Sequence, residues 1–232
     1  MMPIEAVVFD KDGTLFDFQA TWGAWTRGMI DAESGGDPGQ VARIAETLGY
    51  DLRANRFRPD SVVIAATTEE VAERLLPVLP GTTKAALMAR MNERAKAAPQ
   101  VEAAPLAEVL GRLAAMGLPL GVATNDTEAP ARTHLRGAGI EGLFAFIAGF
   151  DSGWGGKPEA GQLLAFAESV GVAPGACAMV GDSLHDLHAA QAAGMVPVGV
   201  LTGVAGREVL EPEAAVVLDS IAALPDWIAA RA

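Results

Sequence analysis

The segment Asp10-Lys11-Asp12-Gly13-Thr14 sets two carboxylates two positions apart, directly after the apolar run IEAVVF. At neutral pH an aspartate is ionised, so one of the pair can attack an electrophile while the other manages protons. Attack on phosphorus gives an acyl phosphate, provided the charge on the phosphate is screened. Further polar clusters follow at Thr124-Asn125-Asp126, Lys157-Pro158 and Gly181-Asp182-Ser183-Leu184-His185-Asp186. Asp182 adds a carboxylate, and hard oxygen ligands with open water positions suit Mg²⁺ rather than zinc. Thr124 brings a hydroxyl and exposed backbone N–H groups, and Lys157 brings a fixed positive charge. These are the parts of a phosphoryl-transfer site, where positioning and charge neutralisation supply most of the catalysis.

The elements that must hold these residues alternate. Residues 4–9 read as a strand buried on both faces, and further strands are predicted at 118–123, 144–148, 177–180, 196–201 and 215–218. Helices are predicted between them at 105–116, 127–136, 159–170, 184–193 and 221–230. This βαβ succession predicts an α/β fold, a doubly wound parallel sheet with helices on both faces. In an open parallel sheet, ligands sit beyond the carboxyl ends of the strands, so the four clusters share one rim.

From 17 to 98 the period is helical, with 61–65 the only strand candidate. Asp37-Pro38 offers a helix start and Gly49 a stop; Thr67–Glu70 reads as a capping box; a further helix carries Leu87, Met88 and Met91. The expected organisation is a Rossmann-like core at 1–16 and 99–232, interrupted by an α-helical cap at 17–98 with hinges near 15–18 and 98–104.

The sequence resembles the haloacid dehalogenase-like hydrolase superfamily, in particular phosphoglycolate phosphatase-like members with a helical cap after the first strand. VVFDKDGTLFD, VATND, GGKPE and GDSLHD match the four family motifs in order, although the usual second proline after the motif lysine is replaced by Glu159-Ala160. The resemblance implies that Asp10 is the nucleophile and Asp12 the general acid and base. It implies Mg²⁺ held by Asp10, the Asp12 carbonyl and Asp182, with Asp186 a further metal-shell carboxylate that also orients Lys157. Thr124 and the Asn125 amide would hold phosphoryl oxygens, and Lys157 would offset Asp10 and phosphate. An acid at Asp12 favours phosphate-ester chemistry over dehalogenation. The expected reaction is hydrolysis of a small phosphorylated metabolite, phosphoglycolate-like or a sugar phosphate. The alternatives are a phosphomutase and a non-catalytic binding protein on the same fold.

Composition narrows the partners. The chain of 232 residues carries 17 basic against 29 acidic residues, a net charge of −12, which argues against nucleic acid and anionic membranes as partners. No apolar run approaches the roughly 18 residues that span a bilayer. Charged residues come too early for a signal peptide and the single Cys177 has no partner for an intrachain disulfide, so a cytoplasmic location is expected. Oligomeric state is not legible.

Other residues read more plainly. Arg53, Arg56 and Arg58 could grip an anionic substrate tail from the cap, but a solvated or ion-paired stretch is favoured. Trp22 and Trp25, three apart, read as packing before a substrate platform. Asp17 and Phe18 stand at the cap entrance, and Trp154 is a candidate for the site mouth. His185 and His188 lack a third zinc-type ligand nearby, Cys177 reads as a buried inert thiol, and strand alternation turns Lys11 away from the nucleophile's face.

Overall fold

The computed structural model describes residues 3–58, 61–64 and 66–231. Its strands are β1 (Ala6–Phe9), β2 (Tyr50–Asp51), β3 (Arg56–Phe57), β4 (Leu120–Ala123), β5 (Phe146–Ala148), β6 (Cys177–Gly181), β7 (Val196–Val200) and β8 (Val216–Leu218). Six form one parallel sheet in the order β5-β4-β1-β6-β7-β8. The order reverses about β1, which pairs with β4 on one side and β6 on the other. That reversal makes the carboxyl end of β1 the switch point where an open sheet binds ligands.

The sheet is covered on both faces, as the sequence predicts. Helices α1 (Phe18–Glu33), α2 (Pro38–Leu48), α3 (Thr68–Leu75), α4 (Lys84–Lys96) and α5 (Leu106–Ala115) lie between β1 and β4; α6 (Glu128–Gly137), α7 (Gly161–Val170), α8 (Leu184–Ala193), α9 (Arg207–Leu210) and α10 (Leu224–Ala229) follow β4. Alternate residues of β1 face opposite ways. Val7 and Phe9 join Leu110, Leu113 and Ile228 in one core, while Ala6 and Val8 join Leu163, Phe166 and Ala190 in another. All four β1 residues are fully buried, which accounts for a strand without polar alternation.

A third cluster is built from residues 18–98, including Phe18, Met29, Leu48, Leu75 and Met91. Its local signals act as predicted. Asp37 caps α2 through Gly39 N–H at 2.7 Å, and Gly49 closes it in the left-handed region at φ 65°. Thr67 and Glu70 form the reciprocal capping box of α3. Two chain crossings join this cluster to the sheet, and they run side by side: Asp17 N–H donates to Val101 C=O and Ala103 N–H to Leu15 C=O.

Three differences from the predicted elements stand out. The strand candidate at 61–65 is instead a 3-10 turn at Val62–Ile64, because Ser61 Oγ accepts from Val63 N–H while donating to Leu48 C=O; Ala65 lies outside the described residues. The helix predicted from 159 starts at Gly161, since Glu159 N–H is turned back onto Gly156 C=O. The β2–β3 hairpin was not predicted; two-residue strands carry no periodicity to read.

Candidate active site

β1 ends at Phe9, and the next residue, Asp10, keeps sheet geometry just long enough for its N–H to reach Val180 C=O. The chain then turns tightly at Gly13, which sits at φ 90°, a conformation that L side chains rarely adopt, and a Cβ there would overlap the Asp182 carboxylate. Asp182 follows β6, the strand beside β1, so register alone brings the two carboxylates together.

Asp186 is fixed by a helix start. Its Oδ2 accepts from Ser183 N–H at 3.0 Å and from Ser183 Oγ at 2.7 Å, a capping box that locks the first turn of α8. Its Oδ1 meets Lys157 Nζ at 2.7 Å, and the same ammonium reaches Asp10 Oδ1 at 2.5 Å. Lys157 is itself aimed by Asn125, whose carboxamide accepts from Lys157 N–H at 2.8 Å and donates to Lys157 C=O at 2.9 Å. Thr124, buried at the end of β4, accepts from Asp126 N–H at 3.1 Å.

One cation therefore faces three buried carboxylates. Carboxylate oxygens of Asp10, Asp182 and Asp186 lie within 4.8 Å of one another. Burial pushes Asp10 up to about 7 despite the opposing pull of Lys157, with Asp186 and Asp12 adding to the rise. Burial and the neighbouring Asp186 and Asp10 likewise raise Asp182 well above the usual carboxylate range. Burial alone would lower Lys157, but Asp10 and Asp186 hold it charged and above its ordinary value. A crowded, all-oxygen set with a deficit of positive charge fits a hard divalent cation.

All seven residues singled out in the sequence for catalysis, phosphate or metal binding line one cavity: Asp10, Asp12, Thr124, Asn125, Lys157, Asp182 and Asp186. Phe18 and both tryptophans also line it, and Trp22 and Trp25 pack in the cluster built from residues 18–98. His185 is half-buried and also lines the cavity, outside the carboxylate group, while His188 is exposed. Arg53, Arg56 and Arg58 do not line it; Arg58 pairs with Glu46 at 2.9 Å. Asp17 caps α1 through Ala20 N–H, and Trp154 packs on Phe146 away from the cavity. Cys177 is buried, which pushes its thiol up to about 11.

Lys11 does not line the cavity. The strand ends before it, so alternation no longer governs its direction, and its Nζ binds the Asp12 carboxylate at 2.7 Å while staying fully buried. Asp126 lies 3.6 Å away, His134 Nδ1 3.3 Å away, and the Trp22 ring centroid 5.3 Å away. His134 Nε2 donates to Ala95 C=O at 2.7 Å, which leaves Nδ1 to accept from the lysine. Burial and Lys11 lower His134 to about 4, so this ring is neutral.

The loop after β7 was also missed. Thr202 Oγ donates to Gly13 C=O at 2.7 Å, Val204 N–H donates to Asp182 Oδ2 at 3.3 Å, and a Cβ at Gly203 would stand 1.6 Å from that oxygen. Its only trace in the sequence is a glycine-rich stretch after a strand. Gln162 was missed as well; it donates to Thr124 C=O and Gly155 C=O, tying two rim loops together.

Known proteins resemble this chain in sequence and in fold. Among curated relatives, the phosphoglycolate phosphatase of Rhodospirillum rubrum is 41% identical over 121 residues, covering 52% of this chain and 50% of its own length. That of Escherichia coli K12 is 40% identical over 98 residues, 42% of this chain and 39% of its own. The chain thus spans half or less of the length of these relatives. Among solved structures, a predicted phosphoglycolate phosphatase from Haemophilus somnus superposes with TM-score 0.76 at 18% identity, covering 98% of this chain and 99% of that one. A β-phosphoglucomutase from Clostridium difficile gives 0.67 at 20% identity, over 95% and 93%. At such identities the likeness is one of fold. The family model for haloacid dehalogenase-like hydrolases matches residues 4–194, most of the chain and every motif on the rim, and the chain belongs to that family.

Proposed function

We propose that the protein is a Mg²⁺-dependent phosphatase that hydrolyses a small phosphate monoester through an aspartyl-phosphate intermediate on Asp10. The observation that carries this reading is the Lys157 ammonium held between Asp10 and Asp186 at the switch point of the sheet, in a cavity that also contains Asp12 and Thr124. Lys157, with a divalent cation held by the carboxylates around it, would give a phosphate one place to sit, with the nucleophile beside it.

Asp10 attacks phosphorus with a carboxylate oxygen, and the ester P–O bond breaks. Asp12 gives the departing alkoxide its proton. Asp12 then takes a proton from water as that water's oxygen attacks the same phosphorus, and the bond to Asp10 breaks to release inorganic phosphate. Throughout, Lys157 balances charge on Asp10 and the phosphoryl group, while Thr124 and the Asn125 backbone N–H supply hydrogen bonds to its oxygens. Asp10, Asp182, the Asp12 carbonyl and Asp186 would hold Mg²⁺, which supplies charge neutralisation for the approach of two anions and polarises the phosphoryl group. The segment 17–98 would act as a cap, and the soluble, cytoplasmic setting expected from the sequence belongs to the same reading.

The test is phosphate release from acetyl phosphate, phosphoglycolate and sugar phosphates, with Mg²⁺ and with chelator, for wild type and Asp10→Asn. Metal-dependent release that Asp10→Asn abolishes in a folded protein supports the reading. Sugar-phosphate isomerisation without release of phosphate would replace it with a mutase.

A further inference from the structure

The cavity has two unlike walls. The sheet side carries Asp10, Asp12 and Lys157; the opposite side is built by Phe18, Trp22, Trp25, Ile64, Val71 and Met91. Phosphate belongs at Lys157, so the rest of the ester extends towards the second wall. Among the described residues lining the cavity, that wall includes no lysine or arginine, and its polar members, Thr68 and Asn92, are neutral. Of the arginines of the same segment, Arg58 is on Glu46, and Arg74 lines a neighbouring cavity together with Glu70 and Glu73. Lys157 is already shared between Asp10 and Asp186, and Lys11 is buried behind Asp12 without lining the cavity. His185, on the sheet side, is the remaining group able to carry positive charge.

A leaving group with a carboxylate or second phosphate would have to give up water against tryptophan, phenylalanine and methionine with no counter-charge on that wall, close to Asp12. A neutral apolar group gains from the same transfer, and the Trp22–Trp25 pair, edge to face at 5.2 Å, offers aromatic surface. We infer that the preferred substrates are phosphate monoesters of neutral, largely apolar alcohols, aryl or branched alkyl, rather than esters whose alcohol part is anionic. The inference rests on the phosphatase reading above and specifies the leaving group at that same site.

The test compares kcat/KM for 2-phenylethyl phosphate and 2-phosphoglycolate with Mg²⁺, using the full chain. Both are unactivated alkyl esters, so leaving-group chemistry does not decide the result. A preference for the phenylethyl ester of about tenfold or more is expected, the size that one unpaired buried polar group commonly costs. Thr68→Lys, a half-buried position on the apolar wall, is expected to shift the ratio towards phosphoglycolate. A smaller preference in wild type, or the reverse, overturns the inference and leaves the phosphatase reading standing. No turnover of either ester, nor of acetyl phosphate, overturns both.

Discussion

At the scale of single residues, the site is a problem of too many carboxylates. Lys157 alone cannot offset Asp10, Asp182 and Asp186; burial, with the neighbouring carboxylates adding to it, raises Asp10 and Asp182. A metal relieves this crowding only if Asp182 stays where the loop after β7 holds it. Gly203→Ala places a methyl group on the Asp182 carboxylate. It is expected to weaken Mg²⁺ affinity by about tenfold or more, the usual cost of disturbing groups that orient a ligand. Isothermal titration against wild type measures this, and unchanged affinity would show that Asp182 does not depend on that contact. Of these residues the sequence revealed those that follow strands, because a strand end is a place that topology turns into a rim. Gln162 reaches back to Thr124, Gly203 stands against Asp182, and Lys11 sits among Asp126, His134 and Trp22 as well as its neighbour Asp12; these surroundings became visible once the distant residues were in place.

At the scale of elements, the strands were legible because a parallel sheet covered on both faces demands unbroken apolar runs, and β1 is one. The helices of the first segment were legible through their caps, Asp37, Thr67 and Gly49. Boundaries failed where a side chain captured the backbone, as Ser61 does ahead of Val62–Ile64. The least legible link joins elements across the two parts of the molecule. His134 on α6 donates to Ala95 at the end of α4 and accepts from Lys11, so its neutral form ties the sheet to the helical segment. The folded protein withholds from this ring a proton that the unfolded chain accepts near pH 6.5, since burial and Lys11 lower it to about 4. Stability from this group is therefore complete above pH 6.5 and is lost as pH falls towards 4. Urea unfolding at pH 7 and pH 5 is expected to show wild type losing about 2 kcal/mol more than His134→Gln over that interval. Equal losses would mean that the ring titrates freely in the folded state.

For the whole molecule, net charge was a poor guide to ligand. A charge of −12 argues against polyanions, yet a single buried lysine and the place for a cation make one spot receptive to a phosphate. Because the carboxylates that would bind metal repel one another without it, metal binding and folding are linked. Mg²⁺ at about a hundredfold excess over its Kd is expected to stabilise wild type by about 2–3 kcal/mol, and Asp182→Asn to lose most of that gain. Protons compete for the same oxygens. With Asp10 raised to about 7, the stabilisation by Mg²⁺ is expected to shrink as pH falls below 7, and denaturant unfolding with and without metal reads both effects. A pH-independent Mg²⁺ effect would place the ion elsewhere.

The central claim is that Asp10 carries the phosphoryl group. Asp12→Asn removes the base that activates water, and acetyl phosphate needs little help from an acid to leave, so this pair traps the intermediate if it forms. Acid-quenched protein from that reaction, digested and mapped by mass spectrometry, is expected to carry one phosphoryl group on Asp10, and none when Asp10→Asn is combined with Asp12→Asn. Phosphate release by wild type with Asp10 never labelled, or a label on another residue, would contradict the account.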